Sequence, residues 1–175
     1  MLADSIGARY IHCDVAKESD VESAIQLAIT WKGKLDILFS NAGIGGTASS
    51  ITSLDMEQVK HLVSINLLGN VHAIKHAARA MLRCNTKGSI ICTSSSAGIM
   101  GGLASHPYSL SKAEEVKKLV GDQGSLLRGK AATVEDVAQA AVFLASDDTG
   151  FITAHNLIID GGYTSAISSL SFIYK

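Results

Sequence analysis

The 175-residue chain is nearly neutral, with a formal net charge of −1 and 18% charged residues. That balance leaves no electrostatic footprint for nucleic acid or a membrane surface, and no apolar run reaches membrane-spanning length. The length suits one domain with its own core, and the first residues lack the basic-then-apolar pattern of a signal peptide. Cys13, Cys84 and Cys92 form no Cys-x-x-Cys and read as buried, reduced thiols of a cytoplasmic protein.

In chain order, residues 1–7 read as the last turns of a helix stopped by Gly7. Residues 9–15 alternate as a strand does and end in Asp14-Val15. Residues 19–32 form an amphipathic pattern, with Ser19 or Asp20 to cap it and Gly33 to stop it. Residues 35–40 are a short apolar run that leads into Asn41-Ala42-Gly43. The pair Gly45-Gly46 follows, whose missing side chains let backbone approach a ligand closely. Residues 54–83 keep a helical period, with a break expected near Gly69. Asn66 falls on or near the buried face of that helix, where an amide needs partners. His72 and His76 are four apart on the same helix, but no third ligand accompanies them, so no metal site is read.

The run Ser89-Ile90-Ile91-Cys92-Thr93 ends in hydroxyls, as a buried strand does where its carboxyl end opens into a crevice. The only proline, Pro107, suits the start of a helix, with Ser105 or His106 as its cap. Tyr108 and Lys112, four apart, share one face of that helix. An ammonium beside a phenol favours the phenolate, which equips the tyrosine to take or give a proton at physiological pH. Beyond a charged helical stretch, residues 124–131 approach a phosphate-binding loop. Ala131 stands where that loop needs a hydroxyl, and no buried strand precedes it, so it reads as a surface loop. Thr133 and Asp136 resemble a capping box that opens a last helix, with Val134, Val137, Ala141, Phe143 and Leu144 on its apolar side. Residues 156–160 read as a strand ended by Gly161-Gly162.

Ser94, Tyr108 and Lys112, preceded by Asn41-Ala42-Gly43 and Asn66 and followed by Ile-Asp-Gly-Gly, resemble the short-chain dehydrogenase/reductase family in residue type, spacing and order. The resemblance implies an α/β fold, a Rossmann-type doubly wound parallel sheet of order 3-2-1-4-5-6-7, here incomplete and lacking the first two strands and the sixth. Residues 1–162 would be a partial dinucleotide-binding domain and residues 163–175 a C-terminal tail, similar to that of plant members acting on secondary alcohols.

By the same resemblance the reaction is hydride transfer between NAD or NADP and a small-molecule alcohol or ketone. Tyr108 is the general acid/base. Lys112 favours its phenolate and bonds the ribose, Ser94 orients the carbonyl oxygen, with Ser95 as the second choice, and Asn66 anchors a proton-relay water. Asp14 lies toward the adenine amino group, and Val15, Asn41, Ala42 and Gly43 lie along the cofactor with Tyr108 and Lys112. The Asn66 helix is the expected face of a homo-oligomer.

Two family features do not appear in these 175 residues. One is any Gly-x-Gly-x-x-Gly, the loop whose backbone N–H groups hold a dinucleotide's phosphates. The other is the segment that separates the Tyr-Lys helix from the last helix in family members. Strands 4 and 5 of the family order should therefore pair at the centre, with strands 3 and 7 moved inward or poorly paired and apolar edges left open. Two functional expectations follow: a dehydrogenase, or a shortened inactive form that associates with full-length relatives.

Overall fold

The structure is a computed structural model, and it describes residues 2–47, 50–95, 97, 104–111 and 132–162. Its centre is a parallel pair of strands, β1 (Ile37–Ser40) and β2 (Ser89–Cys92), with Ile37 opposite Ser89 and Ser40 opposite Cys92. These are the two strands expected to stay neighbours. Parallel strands need a long crossover. Here it runs through α3 (Met56–Val63), a π-turn (Ser64–Leu68) and α4 (Gly69–Arg83).

Short α1 (Leu2–Ser5) precedes the sheet, and Gly7 follows it at φ 64°. Next, α2 (Glu18–Lys32) lies against α4, and α4 lies on the sheet. The core sits in that seam: Val21 and Ile25 from α2, Leu35 ahead of β1, and Ala73, Ala77, Ala80 and Met81 from α4. Alanines at 73, 77 and 80 let the two helices approach closely, and Ala77 and Ala80 are wholly buried. Gly33 stops α2 as expected, at φ 80°, with its N–H bonded to the Ile29 carbonyl. The start differs. Lys17 is the cap residue, with no side-chain cap bond, and Ser19 and Asp20 lie inside the helix. Asp20 instead accepts the Asp14 backbone N–H through Oδ2 at 3.1 Å.

Residues 9–15 and 156–160 carry strand-like sequence but are not strands. A strand is defined by its neighbours, and in the expected order each of these segments has lost the strand beside it. Tyr10 and Ile11 are consequently exposed, as are Leu157, Ile158 and Ile159. The long helix breaks one turn before Gly69. Gly69 is required for another reason: a Cβ there would lie 2.8 Å from Val15 Cγ2.

The capping box at the start of α6 (Val134–Ala145) is present in both directions, but the helix buries none of its side chains. It rests on β2, where Ser89 Oγ donates to the Leu144 carbonyl at 3.0 Å. Its apolar side is therefore open, with Val134 65% and Phe143 44% exposed. None of the cysteines is buried: Cys13 and Cys84 are half-buried and Cys92 is exposed. Lys112, the charged helical stretch after it, the loop 124–131 and the tail 163–175 lie outside the described residues.

Candidate active site

Asn66 sits in the π-turn and is 1% exposed. Its Nδ2 donates to the Ile44 carbonyl at 2.9 Å and to Ser111 Oγ at 3.1 Å, and its Oδ1 accepts the Ile44 N–H at 2.9 Å. One buried amide thus holds both backbone groups of Ile44, just after Asn41-Ala42-Gly43, and reaches the last residue of α5 (His106–Ser111). Ser111 Oγ donates onward to the Tyr108 carbonyl at 3.2 Å. Tyr108 is itself 4% exposed. The loop after β1, the π-turn and the tyrosine helix are therefore one hydrogen-bonded unit.

The ends of both strands join it. Ser40 Oγ donates to Asn70 Oδ1 at 2.6 Å, and Asn70 Nδ2 donates to the Asn66 carbonyl at 2.7 Å. Past β2, Thr93 Oγ1 donates to Asn41 Oδ1 at 2.8 Å. Asn41, Ala42 and Gly43 face solvent. Ser94, exposed beyond β2, is not among the side chains this network joins. Ser95 Oγ accepts from the Ala97 N–H.

Two expectations are corrected here. A Cβ on Gly46 would lie 2.8 Å from Ser105 Oγ and 3.4 Å from Tyr108 Cβ, so what approaches Gly46 is the protein's own α5. The α5 helix begins at His106, one residue before Pro107, and Ser105 Oγ is buried without a partner among the described residues, so it does not cap.

Asp14 and Val15 form a turn ahead of α2. Asp14 Oδ1 accepts the Ala16 N–H at 3.1 Å, and its Oδ2 lies 3.5 Å from Lys17 Nζ. Val15 packs on Gly69, and its carbonyl meets His72 Nδ1 at 3.0 Å. Val15 is thus attached to the start of α4, and residues 41–43 lie between Ser40, bonded to Asn70, and Ile44, bonded to Asn66.

His72 and His76 serve separate partners. His76 Nε2 meets Glu18 Oε1 at 2.8 Å, and Lys75 bonds the same oxygen. Those two hydrogen bonds hold the Glu18 carboxyl down at about 2. Burial, with Asp20 and Asp14 nearby, pushes the Cys13 thiol up.

Sequence reading missed Asn70, His72 as a partner of Val15, and Ser111. The one available signal was Asn70, a second amide one helical turn after Asn66.

Among the described residues, this arrangement suits a nicotinamide dinucleotide at residues 41–43 and offers little for its diphosphate. The open backbone of 41–43 lies past the carboxyl end of β1, where open α/β sheets bind nucleotides. A diphosphate needs a helix N-terminus free of negative charge. Among the described helices, the first turns of α2, α3 and α6 carry Glu18 and Asp20, Glu57, and Glu135 and Asp136; those of α4 and α5 carry no acid, but α4 continues from the π-turn and α5 is only six residues long.

A family model described as short chain dehydrogenase matches residues 2–141. The Arabidopsis thaliana protein named Short-chain dehydrogenase reductase ATA1 is 45% identical over 224 residues, covering 100% of this chain and 82% of that protein. A mitochondrial borneol dehydrogenase of Lavandula x intermedia is 35% identical over 194 residues, covering 92% of this chain and 74% of its own length. Among solved structures, ElxO with NADP bound superposes at a TM-score of 0.79 with 25% identity, covering 92% of this chain and 80% of that one. A short-chain type dehydrogenase/reductase from Mycobacterium marinum reaches 0.81 at 24% identity, with 94% and 80% covered. The β1–β2 pair and its helices are therefore an incomplete Rossmann-type sheet, in a chain shorter than its relatives.

Proposed function

This chain is a member of the short-chain dehydrogenase family, and from that membership we propose that it keeps the proton-handling half of a hydride-transfer site. The observation that carries the reading is the Asn66 bridge, which fixes the Ile44 loop and the Tyr108 helix together. The substrate class is a small secondary alcohol or ketone. Plant relatives named for borneol and nepetalactol support a compact specialised metabolite.

NAD or NADP supplies or accepts the hydride when bound. The chain's own residues do the rest. Tyr108 exchanges the proton with the substrate oxygen, and Lys112, four residues on in the sequence, favours its phenolate. Ser94 steers the carbonyl oxygen with its exposed hydroxyl. Asn66 keeps the tyrosine helix in register with the loop and anchors the relay water. Asp14 would meet the adenine, and Val15, Asn41, Ala42 and Gly43 would lie along the bound dinucleotide. The acidic first turns of α2, α3 and α6 make these described helix starts poor phosphate sites, and on them alone affinity for the dinucleotide is weak.

The partition into a dinucleotide-binding unit of residues 1–162 and a tail of 163–175 belongs to the same reading, as does a cytoplasmic location. No helix among the described residues is long and apolar enough to cross a membrane. Leu67, Val71 and Ile74 form an exposed apolar stripe along the Asn66 helix, which supports homo-oligomer formation through that face.

A second reading is a shortened, catalytically inactive form that associates with full-length relatives. Exposed Ile37 and Phe39 on the sheet favour it. Calorimetric titration with NAD+ and NADP+ separates the two. Weak saturable binding of either dinucleotide supports the first reading. Heat no larger than dilution, together with co-purification of a full-length relative, supports the second.

A further inference from the structure

Between Ser64 and Gly69 the crossover helix steps from five-residue to four-residue hydrogen bonding, with the Gly69 N–H bonded to the Ser64 carbonyl. A change of step leaves the helix ladder with a poorly served carbonyl, which an inserted side chain can satisfy. Asn70 Nδ2 donates to the Asn66 carbonyl at 2.7 Å, and Asn70 Oδ1 accepts from Ser40 Oγ at 2.6 Å. One short amide thus spends its donor on the π-turn and its acceptor on the end of β1.

We propose that Asn70 is a positioning residue: it locks the π-turn in register and so aims the Asn66 side chain at Ile44 and Ser111. A slip of one residue into regular α-helix rotates a side chain by about 100°. That rotation would carry the Asn66 amide off both Ile44 backbone groups and off the Tyr108 helix. The Ser40 contact fixes where the turn lies along the sheet, because Ser40 is paired with Cys92 in the ladder. A donor and an acceptor are both needed at this position, and each is matched by a partner of the opposite kind. The consequence for turnover rests on the hydride-transfer reading; the positioning itself does not.

The test uses the isotopically labelled 175-residue chain and reads the Ile44 amide, which bonds to Asn66 Oδ1. In Asn70→Asp the acceptor is kept, the donor is lost, and a carboxylate faces a carbonyl oxygen. The Ile44 signal shifts and its exchange speeds up about tenfold. Acidification that protonates the introduced carboxyl restores a donor and returns the signal toward wild type. Asn70→Ala shifts the same signal with no return at low pH. If Asn70→Asp does not fold, Ser40→Ala gives a smaller shift in the same direction. An Ile44 amide unchanged in every folded variant overturns the proposal.

Where the wild-type chain transfers hydride, Asn70→Asp lowers kcat and leaves the dinucleotide KM in place. A raised KM with kcat intact counts against positioning. Absence of hydride transfer in wild type contradicts the oxidoreductase reading, and the Ile44 amide still decides the role of Asn70.

Discussion

Ala154 adopts φ 50°, a left-handed conformation that glycine takes freely and alanine does not. Ala154→Gly should therefore raise the unfolding free energy by about 1 kcal/mol, measured by denaturant titration. No change would place the strain elsewhere. Glu18 gives a second residue-scale prediction. Its carboxyl is held at about 2, below an ordinary value of 4.5, by Lys75 and His76. A folded value below the unfolded one stabilises the fold fully above the unfolded value and is lost as pH falls through the folded value. Thermal midpoints should thus decline between about pH 4.5 and 2, and Glu18→Gln should flatten that decline. Because the pair is exposed at the surface, the effect is modest and shrinks with added salt.

Caps and stops are written locally, and they are where sequence and structure agree best. Gly7 and Gly33 take positive φ as expected, and Thr133 exchanges hydrogen bonds with Asp136 in both directions. Thr133→Ala should cost α6 about 1 kcal/mol, seen as lost helical circular dichroism or faster amide exchange across residues 134–145. Unaltered exchange there would show that the helix is held by β2 instead. Strands are not local. Residues 9–15 and 156–160 have strand sequence, yet ladder bonds need a neighbour that this chain does not place beside them. The functional network shows the same division. Asn66 stands out from its helical period alone. Asn70 depends on Ser40, thirty residues earlier, and His72 on Val15, fifty-seven earlier, so neither contact leaves a mark in local spacing. His72 and His76 share a helix face, but their partners set them different tasks.

At the scale of the whole molecule, the main core cluster among the described residues is the seam between α2, α4 and the sheet. The opposite side of the sheet is only half covered, leaving Ile37 48% and Phe39 45% exposed, and α6 turns apolar residues outward. Open apolar faces of this kind promote association. Sedimentation velocity should find the isolated chain in species larger than a monomer. A sharp, reversible thermal transition of a monomer would contradict that expectation.

Among the described residues the two sides of the proposed site differ: Asn66, Ser111 and Tyr108 are tied together by hydrogen bonds, while no comparable network forms a phosphate site. The most direct measurement is transfer of deuterium from the nicotinamide C4 of a labelled reduced dinucleotide to a ketone, read by mass spectrometry at saturating cofactor. The account predicts slow appearance of label on the alcohol carbon with the wild-type chain and none with Tyr108→Phe. Label absent from wild type, or transferred equally by both proteins, would contradict it.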